Sequence, residues 1–324
     1  MTIDKRAAVL SLLDADQKQE YTPAAFFLHF DPSCHRGQAA VDKHLEYFHY
    51  TGMDVVKIQY ENSFPHLPQI ARPDDWAKMP LYGRDFYAEQ LRVVEGLVKA
   101  AKHEALVIVT LYSPFMCAGQ TAGGQAAITA HIKEDPEKVK KGMEIVTESL
   151  MIFVKGCIEL GVDGFYASTQ GGESDRFAEG DRFADPALFE TCVKPYDLTI
   201  MKEINRACIF NVLHVCDYHG GYSDLTPFLD YPGDVVNCSL KLGARTMTPQ
   251  EASALFDRPY MGGLDRHGII VSGSADEIAQ AVEDVLAQAS AKFFLAADCT
   301  LPSDIDWNNI RTAIATAHAQ SERA

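Results

Sequence analysis

The strongest constraint on this chain is an alternation. Short apolar runs near residues 26–30, 54–60, 105–111, 164–169, 208–216, 235–240, 259–265 and 293–298 alternate with stretches that carry helical spacing. Gly52 and Gly161 stand where helices over 38–51 and 137–160 should stop, and Asp135-Pro136-Glu137 opens the second of these. Ser274 and Glu277 have the spacing of a capping box before a helix over 275–290, and Thr248-Pro249 starts another. Further helices are predicted over about 1–20, 85–103, 186–206 and 307–320. Eight apolar strand candidates alternating with helices, with no break in composition, predict a single α/β domain over 1–324, a closed (β/α)8 TIM barrel. An open doubly wound sheet would also alternate; the count of eight strands and a length of 324 residues favour the barrel. Segment 61–84, with Pro65, Pro68, Pro73, Pro80 and Gly83, is too long for a simple connector and reads as a loop at the barrel mouth that shapes a pocket. The stretch after the third strand, with Pro114, Gly119 and Gly123-Gly124, reads as a second loop.

An apolar content of 47% is ample for one large core, and a net charge of −16 argues against nucleic acid or an anionic membrane surface as the main partner. The beginning of the chain has no apolar signal core, and no later run approaches the roughly 20 apolar residues of a membrane span. Eight cysteines scattered singly do not make a disulfide scaffold and fit a reducing, cytoplasmic setting.

In a barrel of this kind the chemistry gathers where strands end. The run Cys208-Ile-Phe-Asn-Val-Leu-His214-Val-Cys216 ends in two metal-capable side chains, which alternation places on one face. Cys299 ends the run Phe293–Cys299 on another strand. One imidazole and two thiolates suit zinc, which soft ligands favour over magnesium or calcium, and leave one position open for a substrate atom. A lone His-x-Cys pair is also what an inert buried cysteine looks like; Cys299 at the equivalent end of a second strand shifts the balance toward a metal.

His214, Cys216 and Cys299 together resemble the zinc-binding residues of the uroporphyrinogen decarboxylase superfamily, in its zinc-dependent, corrinoid-linked methyltransferase branch. Gly161-Val-Asp-Gly-Phe-Tyr-Ala-Ser-Thr-Gln-Gly-Gly172 with Pro195-Tyr196, then Gly262-Gly263-Leu264-Asp265, then Cys299-Thr-Leu-Pro302 through Asn308-Asn309-Ile310, are similar to further blocks of that family. The resemblance covers about residues 100–320. It implies a (β/α)8 barrel, zinc on those three residues, and methyl transfer between a small-molecule sulfur or oxygen and the cobalt of a corrinoid (cobalamin) supplied by a partner protein. Decarboxylases of the family carry an arginine-rich N-terminal motif that grips porphyrinogen carboxylates; segment 21–40 here has only Arg36, which argues against decarboxylation. Asp217-Tyr218-His219 after the first cysteine and Ala297-Asp298 before the last depart from the family pattern.

Other residues carry two readings each. His29 and Glu61, after the first and second strands, are the candidate catalytic pair: His29 to hydrogen-bond substrate or a ligand, Glu61 as a displaceable fourth zinc ligand or proton acceptor. The ordinary alternatives are a structural histidine and a solvated loop carboxylate. Glu173 and Asp175 follow Gly171-Gly172 near the end of the fourth strand, His219 could supplement the ligands, and Asp265, near His267, could orient a metal-bound imidazole or cap its loop. Tyr112, Phe115, Tyr166 and Phe177 are candidates for an apolar pocket or for the core. Cys34, Cys117, Cys157, Cys192, Cys208 and Cys238 have no assigned role. The expected protein is therefore a zinc methyltransferase; the alternatives are a metal-free decarboxylase-like enzyme and a non-catalytic barrel with a structural zinc.

Overall fold

The computed structural model describes residues 3–173 and 187–321; the candidates Asp175 and Phe177 lie outside them. The nine strands among the described residues are β1 Val55–Ile58, β2 Leu106–Tyr112, β3 Gly164–Thr169, β4 Val212–Val215, β5 Val235–Cys238, β6 Lys241–Leu242, β7 Arg245–Thr246, β8 Tyr260–Leu264 and β9 Phe293–Ala297. Seven of them form one curled parallel sheet in the order β1-β2-β3-β4-β5-β8-β9, while β6 and β7 make a separate antiparallel pair. Every residue of β1, β3, β4, β5 and β9 is buried, as a parallel sheet covered on both faces requires.

The run at 26–30 is not a regular strand, which corrects the expectation of eight. It is extended and touches both edges of the sheet through isolated bonds: Leu295 N–H donates to Pro23 O at 2.9 Å and Leu301 N–H to Phe27 O at 2.7 Å, while Asp54 N–H donates to Ala24 O at 3.0 Å. Side chains take the groups a ladder would have used. Ala24 N–H goes to the Asp54 carboxylate at 2.8 Å, and Leu28 O accepts from the Gln59 amide.

Asp54, fully buried, ties this seam together. Its carboxylate also accepts from Tyr21 Oη at 2.8 Å, Lys5 Nζ at 3.2 Å and His318 Nε2 at 2.9 Å, so one side chain gathers the N-terminal segment, the start of β1 and the last helix. The next residue along, Arg6, forks onto Asp163 at 2.8 and 2.9 Å, just ahead of β3. These two cations come from a helix much shorter than 1–20: it covers Lys5–Leu10 with a 3-10 turn Ser11–Leu13, after which Asp14 accepts from the Asp16 N–H in a local turn.

The stretch after β2 forms two helices where a loop was predicted, Pro114–Ala122 and Gln125–Glu134. Pro114 occupies the first helical position, where its missing N–H costs nothing; Ser113 caps it, and Gly123 ends it at φ 90°. Segment 61–84 is irregular apart from the 3-10 turn Pro73–Lys78, as expected, but it does not line the cavity described below. It braces the wall from behind: Phe64 N–H donates to Gln120 Oε1 at 2.8 Å, Leu67 N–H to Thr121 O at 2.9 Å, and the buried Trp76 packs on Gly142 in the helix Pro136–Glu159. The helices Gly37–Thr51, Ala88–Ala101, Pro249–Phe256 and Trp307–Ser321 stand where the spacing put them; the expected capping box at Ser274 is formed, Thr248 and Glu251 make a second, and Ala275–Leu286 stops short of residue 290. The predicted 186–206 helix divides into Ala187–Cys192 and Lys194–Ala207.

Burial pushes the Asp54 carboxyl up, but His318, Lys5 and the Ala24 N–H outweigh it and hold it below the usual value. A depressed carboxylate stabilises the fold above its unfolded pKa and ceases to do so as pH falls through its folded value. Asp54→Asn is therefore expected to cost about 3 kcal/mol at pH 7, with the gap to wild type closing below about pH 4; urea denaturation midpoints at the two pH values measure both effects.

Candidate metal centre

His214 is the third residue of β4. Cys216 follows the strand, its N–H still bonded to Thr169 O at 3.0 Å, so the two-residue period keeps both side chains on one side. Cys299 stands just past β9, after the Asp298 N–H bonds Leu264 O at 2.9 Å. The curl of the sheet brings these strand ends together across β5 and β8. Cys299 Sγ lies 3.4 Å from His214 Nε2 and 3.9 Å from Cys216 Sγ, and all three donor atoms fall within 4.8 Å of one another in buried surroundings. A tetrahedral zinc with ordinary Zn–S and Zn–N bonds would set its ligands about 3.6–3.8 Å apart. The donor set fits.

Electrostatics point the same way. The hydrogen bond from Cys299 holds the Cys216 thiol below its usual range against burial, with further help from Gln170; the same bond, together with burial, pushes Cys299 up. Two sulfurs this close do not both ionise unless a cation lies between them. A divalent metal would supply that cation in place of the shared proton.

Surrounding residues fix the three donors. The His214 ring lies 4.8 Å from that of Tyr166, whose hydroxyl donates to Asn237 Oδ1 at 2.6 Å. Asn237 in turn donates to Met261 O at 2.8 Å and Ala297 O at 3.0 Å, linking β3, β5, β8 and β9 beneath the site. Gln170 Nε2 donates to Cys216 Sγ at 3.0 Å, and Gln125 donates to Gln170 Oε1, so the amide has its N–H side turned to the sulfur. His214 Nδ1 is buried and has no hydrogen-bond partner among the described residues. Asp265 does not orient it, contrary to one expectation: its carboxylate caps the loop through the His267 N–H at 2.8 Å and pairs with Lys241.

The donors open on a cavity of about 590 Å³. His29 lines it, as do Tyr112, Tyr166, His219 and His267; Phe115 is core. Glu61 stands apart from the three donors, held by His29 Nδ1 at 2.8 Å with His35 Nδ1 at 3.6 Å. Glu173 turns back to accept from Gly171 N–H at 2.9 Å and does not line the cavity. Asp217 and Asp298, the two departures from the family pattern, both clasp Arg266 at the cavity wall; Asp298 Oδ2 lies 3.6 Å from it and Oδ1 accepts its backbone N–H at 2.9 Å. Six residues that sequence reasoning missed matter here: Lys57, Gln59 and Thr110 in the cavity, with Gln170, Asn237 and Arg266. Only Lys57 left a clear signal, a lysine inside the apolar run Val55-Val-Lys-Ile58.

The sheet and the site define a class: an α/β protein of the TIM-barrel kind, with a metal-capable His-Cys-Cys set at the carboxyl ends of its strands. The chain belongs to the uroporphyrinogen decarboxylase (URO-D) family, which matches residues 47–320. Among solved structures it is similar to a methyltransferase from Methanosarcina mazei, at 12% identity and a TM-score of 0.73 with all of both chains covered. It is also similar to an endo-1,4-beta-mannanase from Rhizomucor miehei, at 13% identity and a TM-score of 0.50 over 95% of this chain and 97% of that one. At such identities the likeness is one of fold. Comparison with curated protein sequences returns no match.

Gln170→Leu is expected to weaken metal retention by about 10- to 100-fold while leaving the fold intact; competition against a chromogenic chelator reads the change.

Proposed function

We propose that this chain is a zinc-dependent methyltransferase that moves a methyl group between the sulfur or oxygen of a small molecule and the cobalt of a corrinoid carried by a partner protein. The observation that carries this is the donor set: His214, Cys216 and Cys299 meet within 4.8 Å and face a cavity large enough for a small molecule. When bound there, zinc would supply Lewis acidity toward the substrate sulfur or oxygen. His214, Cys216 and Cys299 would hold it, and the cavity side would remain for the substrate atom, which separates this site from a closed structural one.

The chain's own residues supply the rest. Gln170 donates to the Cys216 sulfur and so limits the charge that sulfur passes on. Tyr112, Met116 and Tyr166 give the cavity apolar surface that displaces water from the reacting atoms. His29, one of the histidines on the wall, would exchange a proton with a ligand, and Glu61 sets its orientation. The partner's corrinoid would approach over the same carboxyl ends of the strands. Support for this class comes from membership of the URO-D family and from the fold shared with the Methanosarcina mazei methyltransferase. No helix among the described residues is long and apolar enough to cross a membrane.

Metal analysis of the purified protein is expected to give about one zinc per chain, lost in His214→Ala, Cys216→Ser and Cys299→Ser. Zinc-loaded wild type should then transfer methyl groups from a panel of methyl ethers and thioethers to cobalt(I) cobalamin, followed by its absorbance, and the three variants should not. A wild type that takes up no zinc, with variants that fold normally, would overturn the metal mechanism and favour a metal-free member of the family.

A further inference from the structure

Lys57 is the least expected side chain in the cavity. It sits on β1, is 6% exposed, and lines the cavity together with Gln59 and Thr110. Its amine donates to Gln59 Oε1 and Thr110 Oγ1, both at 2.9 Å, and Thr110 donates to the same Gln59 oxygen at 3.1 Å. The Gln59 amide is committed to Leu28 O, so its oxygen must face the lysine. Two aromatic rings complete the surroundings, Phe27 at 4.5 Å and Tyr166 at 4.7 Å from the nitrogen.

Both hydrogen-bond partners are neutral, and among the described residues no carboxylate pairs with this amine. Arg266, the other strong cation of the wall, is already matched by Asp217 and Asp298. Glu61 accepts a hydrogen bond from His29 Nδ1 at 2.8 Å and makes none with Lys57. An ammonium has three donors, and two neutral acceptors leave both a donor and a charge unanswered. Burial accordingly pushes the Lys57 amine down to about 7, against the opposite pull of Cys299 and Glu61. A ligand that brings an anion would supply what the protein withholds.

The position of Lys57 relative to the metal donors narrows the ligand. Tyr166 is common to both: its ring centroid lies 4.7 Å from Lys57 Nζ and 4.8 Å from the His214 ring centroid. Amine and imidazole are therefore separated by no more than the length of a small organic molecule. The cavity that joins them is lined by apolar surface from Tyr112, Met116 and Tyr166.

We propose that Lys57, Gln59 and Thr110 form an anion-recognising subsite, and that the ligand of this cavity is a small carboxylate, its charged end on Lys57 and its other end toward His214, Cys216 and Cys299. Lys57 is then a specificity-determining residue. The proposal takes from the function above only that the cavity is the substrate site.

The probes are 4-methoxybenzoate and 4-methoxybenzamide, alike in shape and different in charge, titrated by ligand-observed NMR into metal-free wild type, zinc-loaded wild type, Lys57→Met and Lys57→Arg. The expected result is at least a tenfold preference for the carboxylate in both forms of wild type, reduced to within twofold in Lys57→Met and largely kept in Lys57→Arg. A wild type that binds the carboxylate no better than the amide, or not at all, overturns the proposal. So does a preference that survives in Lys57→Met, or one seen only with zinc, which would make the metal the anion receptor. If Lys57→Met does not fold, the metal-free wild type and Lys57→Arg decide alone. Loss of methyl transfer to cobalt(I) cobalamin with the carboxylate preference intact would remove the proposed reaction and leave this subsite standing.

Discussion

The arrangement depends on how a curled parallel sheet is held where its ladder is interrupted. Between β9 and β1 the main chain of residues 23–30 offers isolated bonds only, and the buried carboxylate of Asp54 takes over the work of a strand. Burying that charge would be ruinous alone; Lys5, His318, Tyr21 and a backbone N–H make it tolerable. The result fixes the first and last strands relative to one another at their amino ends. Because strands are stiff over a few residues, the same restraint governs where their carboxyl ends lie. Lys57 rides on β1 and Cys299 leaves β9, so both sit in a geometry that the far end of the sheet sets.

The middle of the sheet has its own brace. Asn237 reaches the main chain of β8 and β9 while receiving the Tyr166 hydroxyl from β3. His214 then packs on a ring whose place is determined by hydrogen bonds to other strands. Two thiols and an imidazole brought together without such bracing would relax apart, since their mutual contacts are weak until a cation joins them.

Much of this was legible in the residues. His214 and Cys216 share a face because strands alternate, and Cys299 ends a run of the same kind, so the donor set could be read before any geometry was known. The helix stops at Gly52 and Gly161 and the capping box at Ser274 were likewise local signals, and local signals survive. What failed was the reading of proline and glycine as loop markers at 113–124, where Ser113 and Pro114 instead begin a helix and Gly123 ends it. The apolar run at 26–30 looked like any other strand, because nothing in its composition tells that side chains of Asp54 and Gln59 will occupy its ladder groups. Loop 61–84, expected to shape a pocket at the barrel mouth, lends no residue to the cavity lining and stands behind the wall that it braces. Lys57 was visible as an anomaly; Gln59 is its near neighbour, but Thr110, Phe27 and Tyr166 around its amine come from distant parts of the chain, the cavity wall from still more, and no window along the chain contains them together.

The two helices Pro114–Ala122 and Gln125–Glu134 have a consequence for how such a protein can change over generations. They supply cavity wall through Met116, Gln120 and Gln125, yet none of the metal-capable His214, Cys216 and Cys299 lies on them. The shape of the cavity wall and its His-Cys-Cys cluster are thus written in different parts of the gene. Substitutions along this hairpin can reshape the pocket for a new molecule while the donors, anchored to strand ends, stay as they are. Gln125 is also tied to the donors, since through Gln170 it reaches the Cys216 sulfur. Diversification is therefore open at cavity-facing positions such as Met116, and constrained at the buried Phe115, Cys117, Ala118, Ile128 and Ile132, at Gln120, which holds the Phe64 N–H, and at Gln125.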